Sequence, residues 1–356
     1  MDESRPAPES TPAERLAELE RALGATEGPV LVLTHKSPDP DALGACVGLR
    51  LLLCKHFGRE ATVSTTGRIF RAENLAMVRE LELQFEDLLT LDTAEYGAAT
   101  LVDTQPSFGH TVVPKHPPLA AVFDHHVPPK EEVDLPGVHQ DVRLGVGSTS
   151  SLIFEYLETA GVELDQLSAT ALFCGVRYDT ADLSQDYCEL DERAYFECLR
   201  LADRAVLARI QRPRLPPIYY REMSRCLKLV RRHGPAVVAL LGHVPNPESV
   251  AEMADFFLRM EGCSWSFVGG AYEEEYYLSL RTQHGFQDAH RLLEAILGDE
   301  GSFGGHGRVS GGRVHIDASD PRFVRGLERR LRKRVVEIID PEGRGDDDLR
   351  LGTKIT

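Results

Sequence analysis

Two histidines and four aspartates have the types and spacing of a metal-ligand set. They are His35, Asp39 and Asp41 in His-Lys-Ser-Pro-Asp-Pro-Asp, Asp103 after Ala-Thr-Leu-Val, His125 in Asp124-His125-His126, and Asp179 after Leu-Phe-Cys-Gly-Val-Arg-Tyr. Asp103, Asp124 and Asp179 close apolar runs that read as strands or helices, and His35 follows another. So many carboxylates cannot be buried together without cations.

In the Pro-interrupted link after His35, an extended backbone turns residues two apart to one side, so two cations can each take one aspartate. The alternative is that Asp41 only caps the helix that follows. Asp103 ends a strand that neighbours the first if the winding is regular, where its carboxylate can bridge both ions. Consecutive residues leaving a strand cannot all face one metal. His125 is therefore assigned to a metal, His126 to a substrate phosphate, and Asp124 to orienting an imidazole.

A histidine and carboxylate set without thiolates suits Mn²⁺, with Mg²⁺ or Co²⁺ as substitutes, better than structural zinc. Two ions about 3.5–4 Å apart can hold a hydroxide between them and stabilise both oxygens of an in-line displacement at phosphorus. The implied reaction is phosphoester hydrolysis. Ser148 and Thr149, in Gly-Ser-Thr-Ser, open a helix whose free N–H groups can meet an anion, and capping explains them about as well. The run Gly304-Gly305-His306 to Gly311-Gly312 reads as a glycine-rich loop that lets backbone approach a phosphate, with His306 and Arg308 as donors.

The 356 residues suffice for two domains, and 42% hydrophobic content excludes fibrous and disordered classes. A formal charge of −16 repels long polyanions, so a short phosphorylated substrate is easier to accept than duplex DNA. Seven scattered cysteines without a Cys-x-x-Cys pair read as reduced core thiols. The acidic, proline-rich start and the absence of any run near 20 apolar residues indicate a soluble, cytoplasmic protein with no membrane partner.

The elements that must position this set alternate strand and helix from Val30 onward. The fold class is α/β: an N-terminal doubly wound, mostly parallel sheet with helices on both faces, then a smaller C-terminal α/β domain, the active site lying between them. His35, Asp103 and Asp124 fall beyond strand carboxyl ends, where such sheets place ligands. The expected organisation is a disordered lead over 1–12, the first domain over 13–189, a helical connector over 190–234, the second domain over 235–339 and a flexible tail over 340–356. The last helix, near Arg322 to Ile339, shows an apolar stripe of Phe323, Leu327, Leu331 and Val335 beside a basic face that reads as solvated.

The order His35-x-x-x-Asp39-x-Asp41-Ala-Leu-Gly, Val102-Asp103, Phe123-Asp124-His125-His126 and Gly175-Val-x-x-Asp179-Thr180 resembles the four motifs of the DHH phosphoesterase superfamily. The run from Gly304 to Gly312 is similar to the signature of the DHH-associated C-terminal domain of its RecJ-like branch. The resemblance implies that His35 and Asp39 hold one Mn²⁺, Asp41, His125 and Asp179 the other, and Asp103 both. It places His126 on the scissile phosphate, and Arg281 and His306 on the other end of the substrate.

Size and domain pair are similar to the nanoRNase and pAp phosphatase group, which implies hydrolysis of oligoribonucleotides of a few residues, linear dinucleotides or pAp to mononucleotides. The family often forms dimers. Ala45, Leu183 and Phe303 depart from the usual pattern but remove no ligand, and Gly67 to Asn74 is similar to members labelled exopolyphosphatase-like. Alternatives within the enzyme reading are a cyclic-dinucleotide phosphodiesterase and a phosphoanhydride hydrolase. A family II pyrophosphatase would lack the glycine-rich run, a nucleotide-binding module on the same fold would have lost ligands, and a processive exonuclease would need a basic path.

Overall fold

The structure, a computed structural model, describes residues 10–109, 111–128, 135–317, 320–343, 345 and 347–355. Most of the lead expected over 1–12 lies outside them. The chain divides into two compact units, Met1–Pro213 and Arg214–Thr356. No helix among the described residues is long and apolar enough to cross a membrane.

The first unit runs α1 (Pro12–Gly24), β1 (Val30–Leu33), α2 (Pro40–Lys55), β2 (Ala61–Thr65), α3 (Ala72–Glu80), β3 (Glu86–Asp87), β4 (Ala98–Val102), β5 (Leu119–Asp124), β6 (His139–Val142), α4 (Thr149–Thr159), α5 (Gln166–Asp179), α6 (Glu189–Leu201) and α7 (Arg204–Gln211). Its six strands form one sheet in the order β3-β2-β1-β4-β5-β6, with every pairing parallel. The fully buried Val-Leu-Val-Leu of β1 suits a central strand covered on both faces. The winding reverses between β1 and β4, so the loops leaving these strands diverge and open a crevice at their carboxyl ends.

One face packs on the helices, with Leu43, Leu49, Leu152, Ile153 and Leu172 in its core. Glycine permits that closeness: a Cβ at Gly44 would stand 2.5 Å from the Ala171 carbonyl oxygen, and one at Gly48 2.8 Å from Ile153 Cγ2. The other face, bearing Leu31, Leu33, Leu101 and Val122, meets Leu88, Leu91, Tyr96, Leu135 and Val138. Among the described residues these come from connections rather than α-helices, which corrects the expectation of helices on both faces. The ten residues between β3 and β4 explain it, because they are too few for a packed α-helix and bring Leu88, Leu91 and Tyr96 onto the sheet.

The second unit runs α8 (Pro217–Leu229), β7 (Arg231–His233), β8 (Ala236–His243), α9 (Glu248–Leu258), β9 (Trp265–Tyr272), β10 (Glu275–Thr282), α10 (Ala289–Leu297), β11 (Ser302–His306), β12 (Val309–His315), α11 (Pro321–Ile339), α12 (Asp347–Leu351) and β13 (Thr353–Lys354). Its seven strands lie in the order β11-β12-β10-β9-β8-β7-β13. Only β8 and β9 pair in parallel. One sheet face packs on α10 and α11 and the other on α8 and α9.

Four expectations change. The stretch 190–234 is no separate connector: Leu190, Ala194, Cys198, Leu207 and Ile210 are buried in the first unit, and Cys226 and Val230 in the second. The tail from 340 is partly structured, since β13 pairs with β7 and completes an otherwise open sheet edge. In α11 it is Val324, not the exposed Phe323, that joins Leu327, Leu331 and Val335 in the core. Of the cysteines, Cys54 is exposed and Cys188 half-buried, while the other five are buried thiols.

Candidate metal centre

All six candidate ligands gather at the carboxyl end of the first sheet, beside the crevice between β1 and β4. Asp39 ends the loop after β1 and caps α2, its Oδ1 accepting the N–H of Asp41 and of Ala42, both at 3.1 Å. Capping therefore falls to Asp39. Asp41 lies in the first turn of the helix and is fully buried. Its Oδ2 accepts the N–H of Thr149 at 2.6 Å and its Oδ1 that of Ser150 at 2.8 Å.

The N-terminus of α4 thus meets an anion, but the anion is a side chain of this protein. Ser148 caps α4 through Ser151, and Thr149 donates its hydroxyl to Asp103 Oδ1 at 2.8 Å. Both residues are fully buried. In place of the expected substrate contacts, Thr149 supports Asp41 and Asp103, while Ser148 holds the start of α4 and donates to Asp191. Gly175 of α5 makes room for this arrangement, because a Cβ there would stand 2.1 Å from Ser150 Oγ and 2.8 Å from Asp41 Oδ1.

Asp103 leaves β4 with φ +58, an uncommon left-handed conformation for a residue other than glycine. Its N–H still bonds Phe123 of β5 at 2.8 Å, so the backbone turns without leaving the sheet. The carboxylate becomes the hub. Its Oδ2 lies 3.6 Å from His35 Nε2 and its Oδ1 3.7 Å from both His125 Nε2 and His126 Nδ1. His125 Nε2 is 3.0 Å from Asp179 Oδ2 and 3.8 Å from Asp41 Oδ2.

The donor atoms form compact triads, His35 with Asp39 and Asp103, Asp41 with His125 and Asp179, and Asp103 with His125 and His126, each within 4.8 Å. His125 Nδ1 faces the Val146 carbonyl at 3.3 Å, and a proton placed there leaves an Nε2 lone pair among three carboxylates. Both that Nε2 and Asp103 Oδ2 are buried without a hydrogen-bond partner. Electron-rich atoms facing one another in this way fit divalent cations.

The electrostatics carry the same strain. Burial, and then the charges of Asp179 and Asp103, push the Asp39 carboxyl up to about 6. Burial with Asp103 and Asp179 raises Asp41 well above the carboxylate range. Burial alone would lower His125, but the Asp179 carboxylate 3.0 Å away, with Asp103 and Asp41, raises it well above an ordinary imidazole. His35 is raised likewise against burial by Asp103 and Asp39. For Asp103, burial opposes ionisation, yet His35, His126 and His125 hold it well below the usual range.

His126 joins only the third of the triads and is held chiefly by Asp124. Its Nδ1 lies 2.8 Å from Asp124 Oδ1, and this contact with Asp103 overcomes burial and lifts the imidazole to about 9. Asp124 is fully buried and also accepts the backbone N–H of His125 at 2.9 Å. Gln105 completes the clamp, donating to Asp124 Oδ2 at 2.7 Å and to the His126 carbonyl at 2.8 Å. Gln105 carried no role in the sequence reading, although it follows Asp103 by two residues.

The loop that presents His35 is held by further residues the sequence reading assigned no such part. Thr65 donates its hydroxyl to the His35 carbonyl at 2.8 Å, and Asn74 donates to the Pro38 carbonyl at 3.0 Å. Gly67 crosses so close to Lys36 that a Cβ would lie 1.4 Å from its carbonyl oxygen. Only that proximity, invisible in a linear pattern, explains the glycine.

In the second unit the glycine-rich run is a β-hairpin rather than a loop. Ser302–His306 pairs with Val309–Arg313 around a turn at Gly307 and Arg308. Gly305 has φ +131 and its Cβ would lie 2.3 Å from the Val309 carbonyl oxygen, so glycine is required there; Gly304 is unobstructed. Register aligns His306 with Val309 and Val309 with Arg281, placing their backbones in one row across three strands. Arg281 is largely buried, its Nε donating to Asp255 of α9 at 2.6 Å.

Residues 29–176 match the DHH family, N-terminal domain. The first unit thus carries a DHH-family domain. The chain is 29% identical over 332 residues to an uncharacterized protein of Methanocaldococcus jannaschii, covering 91% of this chain and 67% of that protein. It is 26% identical over 348 residues to the bifunctional oligoribonuclease and PAP phosphatase of Thermus thermophilus, covering 90% and 95%. An exopolyphosphatase-related protein from Bacteroides fragilis shares the fold, with a TM-score of 0.70 and 16% identity over 90% of this chain and 96% of that one.

Proposed function

We propose that the protein hydrolyses short phosphorylated nucleotides, namely oligoribonucleotides of a few residues, linear dinucleotides or 3′-phosphoadenosine 5′-phosphate, with two Mn²⁺ ions held at this centre. The observation that carries the reading is the pair of triads meeting at Asp103, with His125 Nε2 and Asp103 Oδ2 buried and unpartnered. His35 and Asp39 would hold one ion, Asp41, His125 and Asp179 the other, and Asp103 both. Such ions supply Lewis acidity at phosphorus and lower the pKa of water to give a nucleophile near neutral pH.

The chain's own groups do the rest. His126, charged at neutral pH through Asp124 and Asp103, offers a positive donor to the phosphoryl oxygens. Asp124 and Gln105 fix its ring and backbone, so little reorganisation is needed when substrate arrives. Arg281, Arg308 and the hairpin backbone at Gly304, Gly305 and His306 are assigned to an anionic group away from the reacting phosphorus. The likeness to the Thermus thermophilus oligoribonuclease and PAP phosphatase, over nearly the whole of both chains, supports the substrate class.

Turnover of pAp, a diribonucleotide, a linear and a cyclic dinucleotide and tripolyphosphate, with chelator and with added Mn²⁺, tests the reading. Hydrolysis of pAp or the linear nucleotides only with metal is the expected result. Preference for tripolyphosphate or the cyclic dinucleotide, or full turnover in metal-stripped protein, would overturn it.

A further inference from the structure

The second unit carries a basic groove that the proposed reaction leaves unused. Helix α11 holds seven Lys or Arg within 19 residues. Some are neutralised: Arg322 lies 3.0 Å from Asp320, and Arg330 and Arg334 meet Glu300 at 2.9 and 2.6 Å. Arg325, Arg329 and Arg332 make no hydrogen bond or ion pair among the described residues, and Arg332 Nε is buried in that state.

These three arginines line one cavity of about 580 Å³ together with Lys333 and Arg350. The acids nearby are already engaged. Glu328 turns inward, its Oε1 accepting from Gly242 N–H at 2.7 Å and Tyr276 O–H at 2.9 Å. Glu337 lies 3.5 Å from Lys333, and Asp340 lies 3.9 Å from Arg350 and accepts the N–H of Gly345 at 2.8 Å, so Lys333 and Arg350 are paired and the three arginines are not. What remains is an excess of positive charge spread over about 10 Å of helix axis, at spacings where like charges oppose the helix.

A bound anion relieves that repulsion, and in a protein of charge −16 a local positive cavity focuses anions. Its volume is in the range of small-molecule sites. One phosphate is too short to reach all three guanidiniums, while a long nucleic acid would run past a basic surface confined to one helix. The groove is also separate from Arg281. Tyr276, Leu278 and Leu280 of β10 face the α10 and α11 core, so Arg281, on the alternate face, points to α9.

We propose that this groove binds a chain of two or three phosphoryl groups, as carried by inorganic tripolyphosphate or a nucleoside triphosphate. The full chain, kept metal-free with chelator so that nothing is hydrolysed, is titrated calorimetrically with tripolyphosphate, ATP, orthophosphate and a single-stranded 20-mer RNA. Tripolyphosphate or ATP should bind at least about tenfold more tightly than orthophosphate, and Arg329→Ala with Arg332→Ala should cost about tenfold or more. Arg330→Ala removes one positive charge of the same helix outside the cavity and should stay within about twofold.

ATP binding tighter than tripolyphosphate, still lost in the double variant, identifies a nucleotide as the source; equal binding identifies the phosphate chain. If the double variant does not fold, Arg329→Gln at an exposed position carries the test, with a loss of several-fold expected. Unchanged affinity in the cavity variants, no binding of either phosphate chain, or RNA bound more tightly than both would overturn the proposal.

Discussion

Thr149 donates its backbone N–H to the Asp41 carboxylate at 2.6 Å, joining residues 108 apart in the chain. The start of α4 therefore acts on the metal centre through Asp41. A helix N-terminus favours a negative charge, yet burial, Asp103 and Asp179 push the Asp41 carboxyl well above its ordinary range. Backbone donors alone do not neutralise this many carboxylates, and bound cations would complete the balance.

Asp103→Asn should remove bound metal from both triads and lower turnover by several orders of magnitude. Asparagine tolerates the left-handed conformation at φ +58, so the fold should survive. Elemental analysis beside single-turnover kinetics checks this. Two retained metals with near-normal rates would contradict the shared role of Asp103.

Asp124→Asn should act on His126 rather than on the metals. The 2.8 Å contact to Nδ1 is weakened and the imidazole loses much of the charge that holds it near 9. A kcat lower by about 10- to 100-fold, with metal content unchanged and the alkaline limb of the pH profile moved downward, is the expected signature. Loss of metal instead would make Asp124 part of the ligand set.

Gly175→Ala should destabilise the first unit by about 1–3 kcal/mol through overpacking. The new Cβ would stand 2.1 Å from Ser150 Oγ and 2.8 Å from Asp41 Oδ1, so Asp41 must shift. Thermal unfolding with and without Mn²⁺ should show a smaller gain from metal in the variant. An unchanged metal gain would show that Asp41 has not moved.

Metal-free protein should lose stability as pH rises from about 4 to 9. Asp39 is raised to about 6 from 3.8, so the unfolded chain releases its proton first and folding is penalised progressively across that interval. His126, raised from 6.5 to about 9, contributes stability below 6.5 that is lost as pH passes through 9. Both act in the same direction. Cations compete with these protons, so the gain in Tm on adding Mn²⁺ should grow with pH between 5 and 8, which differential scanning across that range measures. A gain independent of pH would mean that binding displaces no proton.

The centre was legible in the chain because each ligand follows an apolar run. In a parallel sheet the strands end on the same side, so the ligands that follow β1, β4 and β5 converge, and Asp179 joins them from the end of α5. The same logic made β1, α2, β4, β5 and α5 readable. Local pattern does not say which carboxylate caps a helix, that Thr149 and Ser150 turn toward Asp41, or that Gln105 clamps Asp124 to His126. The contacts of Thr149 and Ser150 join residues 108 and 109 apart in the chain and follow from how closely α2, α4 and α5 pack, which Gly44 and Gly175 permit. Tertiary structure also decided that the run from Gly304 to Gly312 is a hairpin and that the end of the chain pairs with β7, because strands are stabilised by partners that a single segment does not contain.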